Sequence, residues 1–308
     1  MRIGIDLGGT KIAAALLDDS GDIIAQRREA TPQGDYHGTV NTIKELVLQL
    51  EAQSNKTKQT GPCSVGIGIP GAISLETGRI KNANSVCLIG KDLAADLMAA
   101  LKRPVRLAND ADCFCLSEAT DGAAQGHAMV FGVILGTGVG GGIVCNGQLL
   151  QGPNAISGEW GHNPLPWPDQ EEMPGPNCYC GRRGCIETFL SGPGLAHSYF
   201  ELTSEQLPVQ QIVHAATEGN KLAKKVMQRY ENQLARALAA VINLLDPHVI
   251  VLGGGLSNIK QIYTNVPTIW DQYVFSDRVD TILTQAKHGD ASGVRGAAWL
   301  WPKGCGKK

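Results

Sequence analysis

Two glycine turns and one cysteine–histidine set are where this sequence can do chemistry. The first turn, Gly4-Ile5-Asp6-Leu7-Gly8-Gly9-Thr10-Lys11, joins two apolar, strand-like runs. A glycine turn exposes successive backbone N–H groups that can line a phosphate, and glycine lacks the Cβ that would hold an anion away. Thr10 adds a hydroxyl donor and Lys11 a positive charge. Asp6, closing the first strand, is placed to act on Mg²⁺ through its waters. The pattern returns as Gly132-Val133-Ile134-Leu135-Gly136-Thr137-Gly138-Val139-Gly140, again followed by a strand and a polar turn, Asn146-Gly147. A third run, Gly253-Gly254-Gly255, follows the apolar segment 249–252. An ordinary tight hairpin is the plainer reading of either turn alone; the repetition favours a phosphate site and two homologous halves.

Two better-known glycine patterns are excluded. Gly4 and Gly9 have the spacing of a P-loop, but Thr10-Lys11 inverts its Lys-Ser/Thr, and an apolar strand-like run follows where a P-loop opens a helix. Gly136, Gly138 and Gly141 fit G-x-G-x-x-G, yet residues 142–147 read as strand and hairpin turn instead of a helix.

The third constellation is Cys178-Tyr-Cys180 with Cys185, in a Pro- and Gly-rich stretch, and His162 before it. Such short spacings let thiolates converge on one ion. Three thiolates and one imidazole leave no open position, which makes a structural zinc site. Unliganded thiols, or a Cys178–Cys185 disulfide, are the alternatives. The other six cysteines, Cys63, Cys87, Cys113, Cys115, Cys145 and Cys305, read as reduced thiols packed as small hydrophobes.

Strand-like runs and amphipathic helices must position these groups. Residues 1–6, 12–17, 23–27, 64–70, 105–108 and 249–252 read as strands. Val40, Ile43, Leu46, Val47 and Leu50 mark one helix; Leu93, Leu97, Met98 and Leu101 a second. A long stripe runs Leu222, Val226, Tyr230, Leu234, Leu238, Val241 and Leu245, stopped at Asp246-Pro247. Strands with glycine turns followed by helices, twice over, mean an α/β protein of two lobes with a cleft between them. The expected division is an N-terminal lobe over 1–108, with a helix over 290–308 packing back on it, and a C-terminal lobe over 109–289. The 308 residues are 43% hydrophobic and 18% charged, enough to bury a core without disulfides. A net charge of -2 and no basic cluster give nucleic acid or an anionic membrane little to hold. The chain opens on a strand, with no room for a signal peptide and no apolar run of bilayer length, so a cytoplasmic protein is expected.

With these motifs in view, the sequence resembles the ROK family of sugar kinases, within the actin-like ATPase (ribonuclease H-like) fold. The resemblance covers the whole chain. Besides the two turns it rests on Gly68-Ile-Pro-Gly71, Asn109-Asp110, Gly158-Glu-Trp-Gly-His162, Cys178-Tyr-Cys-Gly-Arg-Arg-Gly-Cys-Ile-Glu187 and Leu252-Gly-Gly-Gly255. It implies in-line phosphoryl transfer from MgATP to the 6-position of a hexose, with Asp110 as general base. Gly71, Asn84, Asn109, Asp110, Glu159, His162 and Glu187 would contact the sugar, and the three glycine runs, including Gly254 and Gly255, would hold ATP. His162 would ligate zinc through one ring nitrogen and face the sugar with the other. A positioned carboxylate is what transfer to an alcohol requires; a helix N-cap is the alternative role for Asp110. A homodimer is also implied. The run Glu159-Trp-Gly-His-Asn-Pro-Leu-Pro-Trp167 looks most like bacterial fructokinases that accept mannose, with Trp160 and the pocket loops bearing on the hexose. N-acetylglucosamine and glucose kinases of the family are the alternatives. A sugar-responsive regulator without catalysis is the rival of another class; its DNA-binding members carry a helix-turn-helix that this sequence does not show.

Overall fold

The strand-like runs resolve into two five-stranded sheets of one design. The computed structural model describes residues 1–54, 61–83 and 85–302. In the first sheet β1 (Arg2–Leu7), β2 (Lys11–Leu17) and β3 (Ile23–Ala30) form an antiparallel meander. The chain continues through helix α1 (Tyr36–Ser54), strand β4 (Ser64–Ile69), a ribbon of β5 (Ala72–Ile73) with β6 (Ile80–Lys81), helix α2 (Leu93–Leu101) and strand β7 (Val105–Asn109). β4 and β7 join in parallel, giving the order β3-β2-β1-β4-β7.

The second sheet repeats this plan. β8 (Met129–Leu135), β9 (Val139–Cys145) and β10 (Gln148–Leu149) come first, and β11 (Val249–Gly253) and β12 (Ile282–Gln285) add in parallel. Its order, β10-β9-β8-β11-β12, is that of the first sheet. The repeated glycine motif is thus the tip of a repeated topology. β1, β4, β8 and β11 are almost continuously buried, as central parallel strands should be. β3 is an edge, and its outer half, Gln26-Arg-Arg-Glu29, is exposed and charged.

Contacts group the chain into two compact units. One holds Met1–Gly126, Gly142–Ser157 and the chain from Lys287 on; the other holds His127–Gly141 and Gly158–Ala286. The lobe boundary expected at residue 108 therefore falls inside the first unit. Helix α3 (Asp110–Thr120) stays with that unit because the C-terminal helix lies directly on it: a Cβ at Gly296 would come within 1.6 Å of the Cys113 carbonyl oxygen. Within the first unit, α1 buries Val40, Ile43, Leu46, Val47 and Leu50 against the sheet, the five positions its periodicity singled out.

In the second unit the helices are α4 (Ile186–Leu190), α5 (Gly192–Thr203), α6 (Val209–Thr217), α7 (Lys221–Leu245) and α8 (Ile262–Trp270). Asn220 caps α7 by accepting from Leu222 and Ala223 N–H, and Asp246 ends it in the left-handed region before Pro247. Leu222 is 47% exposed, so the packed stripe of α7 starts one residue later, at Ala223. The last helix, α9 (Ser292–Trp299), is shorter than the expected 290–308; residues 303–308, with Cys305, lie outside the described ones. No described helix is long and apolar enough to cross a membrane.

Candidate functional site

In the first unit the turn between β1 and β2 closes with Gly8 N–H donating to Lys11 O at 3.0 Å. The end of β3 braces it, Thr31 Oγ1 donating to Gly8 O at 2.8 Å. Gly9, Thr10 and Lys11 are left exposed. Asp6 stands at the strand end with its carboxyl pushed up to about 6, by burial first and then by the charge of Asp110, with Lys11 opposing. Asp110 is the first residue of α3. The N-cap position of that helix is Asn109, whose Oδ1 accepts from Ala111 N–H at 2.8 Å, a donor that Asp110 Oδ1 shares at 2.8 Å. Asn109 Nδ2 donates to Gly71 O at 2.9 Å. Gly71 has φ +88°, and a Cβ there would meet Lys81 O at 2.6 Å, so only glycine fits. A cavity of about 490 Å³ is lined by Asp6, Gly8, Gly9, Thr31, Gln33, Ser85 and Asp110, among others. Asn84 lies outside the described residues. A divalent cation would offset both the burial and the nearby Asp110 charge that raise Asp6.

One neighbour of Asp6 escaped the sequence reading. A Cβ at Gly293 would lie 3.0 Å from Asp6 Oδ2, so the first turn of α9 comes up against this carboxylate. Other residues expected at the phosphate turns have buried side chains or sit in the strands. Gly4, Ile5 and Leu7 belong to the strand interior, Ile5 and Leu7 being core residues. Gly4 is small because a Cβ would come within 1.9 Å of Val294 O on α9. Val133 and Leu135 are likewise buried in β8, Leu135 also lining the second cavity, and Val139 is buried at the start of β9.

The second turn is built the same way: Gly136 N–H donates to Gly138 O at 3.0 Å, and Gly192 N–H, at the start of α5, donates to Gly136 O at 2.8 Å. Thr137 is exposed at its tip. Gly254 has φ +80°, and a Cβ there would be 2.4 Å from Leu135 O, which brings the Gly253-Gly254-Gly255 run against β8. Beside these glycines is a cavity of about 550 Å³, walled by Leu135, Pro193, Val209, Val213, Leu256 and Ile259, with Gly136, Thr137, Gly192, Gln210, Gly255 and Asn258 completing it. Apolar walls with a few amide side chains beside exposed backbone N–H groups suit a flat, heteroaromatic ligand carrying phosphates. Residues 193, 209, 210, 213, 256, 258 and 259 have no motif to betray them, since α5, α6 and the loop after β11 bring them together from distant stretches.

The cysteine–histidine set converges as expected. Donor atoms of His162, Cys178, Cys180 and Cys185 all lie within 4.8 Å of one another. Cys178 Sγ is 3.5 Å from His162 Nδ1, and Cys180 Sγ is 3.6 Å from Cys185 Sγ. Zn–S bonds of about 2.3 Å at tetrahedral angles put neighbouring donors about 3.8 Å apart, so the set fits one zinc ion. With no cation, burial first and then the neighbouring thiols push Cys185 up to about 12; a dication would hold the thiolates together. Zinc here would supply cross-linking and no open position for chemistry. The loop between His162 and Cys178 has a second anchor in α7. Buried Glu172 takes Arg236 Nη2 on both oxygens, at 2.7 and 2.9 Å, and Gln233 Nε2 at 2.8 Å.

Glu187 and His162 are more committed than the sequence suggested. Glu187 Oε2 accepts from Val139 N–H at 2.9 Å, tying the metal loop to the second glycine turn. His162 Nε2, expected to face a sugar, is 2.9 Å from Tyr179 Oη. Glu159 begins the short turn Trp160–His162 without capping it. Trp160, expected to bear on the choice of hexose, is 5% exposed, edge-on to Phe131 and donating from Nε1 to Gly140 O at 3.2 Å. It anchors this turn to β8 and β9.

The model of the ROK family matches residues 2–304. The chain belongs to the ROK family. Its α/β fold is that of the family's sugar kinases, within the actin-like ATPase superfamily. An N-acetyl-D-glucosamine kinase of Pectobacterium atrosepticum is 40% identical over 304 residues, covering 97% of this chain and 98% of that protein. The structure of a ROK hexokinase from Thermus thermophilus superposes with a TM-score of 0.84 at 28% identity, over 96% of each chain. A ROK family glucokinase from Streptomyces griseus, in complex with glucose and AMPPNP, follows at 0.76 and 28%, over 97% and 98%. The resemblance of residues 159–167 to fructokinases thus meets relatives that carry another sugar's name.

Proposed function

We propose that this ROK protein is an ATP-dependent kinase of N-acetyl-D-glucosamine. The observation that carries the kinase reading is the repeated sheet with a glycine turn at matching places, one beside Asp6 and Asp110, the other beside the 550 Å³ apolar cavity. Phosphoryl transfer asks for little more than positioning and charge neutralisation, and these parts supply both. Asp110 takes the proton of the attacking sugar hydroxyl, here the 6-hydroxyl, and Asp6 holds the waters of the Mg²⁺ that comes with ATP. Asn109, held by Gly71 O and the α3 N-terminus, presents Asp110. The second turn and Gly255 hold the phosphates, and the apolar cavity holds the base. Glu159, His162 and Glu187 hydrogen-bond sugar hydroxyls. His162, Cys178, Cys180 and Cys185 would hold a zinc ion, which would fix the tautomer and orientation of His162.

The sugar is chosen on the relative that is 40% identical over nearly its whole length and named for N-acetyl-D-glucosamine. Fructose rests only on residues 159–167, and no other observation favours it. The deciding experiment is MgATP-dependent ADP release across N-acetylglucosamine, fructose, mannose, glucose and N-acetylmannosamine. The expected outcome is the highest kcat/KM on N-acetylglucosamine. A higher value on fructose overturns the sugar, and no release on any sugar overturns the kinase. One zinc per chain and a homodimer belong to the same proposal, checked by elemental analysis and light scattering.

A further inference from the structure

Tyr179 sits between two of the metal-site cysteines, and its hydroxyl oxygen is 2.9 Å from His162 Nε2. The two rings meet edge to face, centroids 5.1 Å apart at 88°. The other imidazole nitrogen, Nδ1, faces Cys178 Sγ at 3.5 Å, on the side where the four donors converge. An imidazole that gives the Nδ1 lone pair to a metal carries its proton on Nε2. With a metal on Nδ1 the hydrogen bond would run from His162 Nε2–H to the phenol oxygen, and the phenol O–H would be left to donate elsewhere. The carboxylates of Glu187 and Glu159 act electrostatically on this same phenol. With a metal on Nδ1, one hydroxyl would thus accept from the imidazole that the proposed function assigns to the sugar.

A sugar hydroxyl bound by His162, Glu159 and Glu187 would make the same pattern, accepting from the imidazole and donating to a carboxylate. The Tyr179 side chain is 79% exposed, so little packing opposes its rotation. We propose that Tyr179 occupies the sugar-hydroxyl position on His162 in the free protein and is displaced by the incoming sugar. It is a built-in competitor that weakens sugar binding by the value of one hydrogen bond. The inference rests on the sugar-kinase reading and adds the residue that tunes its affinity.

Tyr179→Phe keeps the ring and removes only the competing hydroxyl. Titration calorimetry with N-acetylglucosamine alone, on protein of measured zinc content, reads the effect without turnover. The expected result is a Kd roughly three- to tenfold lower than in the parent protein, the range of one neutral hydrogen bond, at equal zinc per chain. The sugar KM falls in parallel, with the ATP KM as internal reference. A Kd that is unchanged or higher, at equal zinc, overturns the proposal; a higher one makes Tyr179 a sugar ligand. If the parent protein binds none of the five sugars, the kinase reading falls and takes this inference with it. If the parent binds and the variant is no tighter, only the role of Tyr179 falls.

Discussion

The turn joining β1 to β2 has a carboxylate at its entrance, Asp6, and a second in the same cavity, Asp110. The turn joining β8 to β9 has the same place in an identically ordered sheet, yet the cavity beside it holds no charged side chain. Around the first, burial and then the charge of Asp110 push one carboxyl up to about 6. Around the second, apolar side chains from α5, α6 and the loop after β11 make a wall, and Glu187 and the metal loop brace the strand that leaves it. On the proposed function, two turns at matching places in like-ordered sheets serve as backbone devices for phosphate, and side chains from outside the repeat divide the labour. On that reading one copy would handle the proton and the metal ion, the other the base of the nucleotide.

If that division is right, damage to the first turn shows in kcat and damage around the second shows in binding. The largest effect is expected from Asp110→Asn, with kcat lower by at least ~10²-fold and sugar Kd by calorimetry little changed, since a positioned base is worth that much. Near-normal turnover would remove the base from the first half. Next comes Cys185→Ser, expected to take zinc from about one per chain to near zero and to raise the sugar KM by about tenfold or more, because a loosened loop no longer orients His162. Unchanged zinc would break the metal assignment.

The third test is pH. Asp6 must be ionised to act on Mg²⁺, so with its carboxyl at about 6 activity should fall as pH drops through that value, about tenfold per unit below it. Stability moves the other way. A raised folded-state pKa means the proton on Asp6 stabilises the fold fully below its ordinary 3.8, and this contribution is lost as pH rises through about 6. Asp6→Asn, inactive or nearly so, should therefore gain stability relative to the parent on going from pH 4 to pH 8, by up to about 3 kcal/mol in urea melts. A pH-independent difference would remove the charge crowding. The smallest effect is expected from Thr137→Ala: an ATP KM raised roughly two- to fivefold, the value of one hydroxyl donor to phosphate, with the sugar KM unmoved.

Much of this was legible in the chain. Continuous apolar runs and helical periodicity located many of the strands and helices, because β1, β4, β8 and β11 bury almost every residue and α1 buries one regular stripe. The glycine turns and the Cys-x-Cys spacing were visible because short-range backbone geometry needs particular residue types at fixed offsets. What stayed hidden came from long-range approach. Gly4 looked like part of a phosphate turn, and only the placement of α9 reveals that its missing side chain makes room for Val294 O. Trp160 looked like a sugar contact until its burial under Phe131 and Gly140 O gave it a different task. The second ring nitrogen of His162 looked available, and Tyr179 holds it.

By itself, then, the sequence determined the repeated α/β plan, the two glycine turns and the four Cys and His side chains that could hold a metal, since each depends on residues near one another in the chain. Tertiary structure alone decided which glycines serve packing, what walls the second cavity and what stands against Asp6 and His162. Those outcomes depend on the approach of α9, α5, α6 and the Tyr179 loop, and no local pattern encodes a distance between segments far apart in the chain.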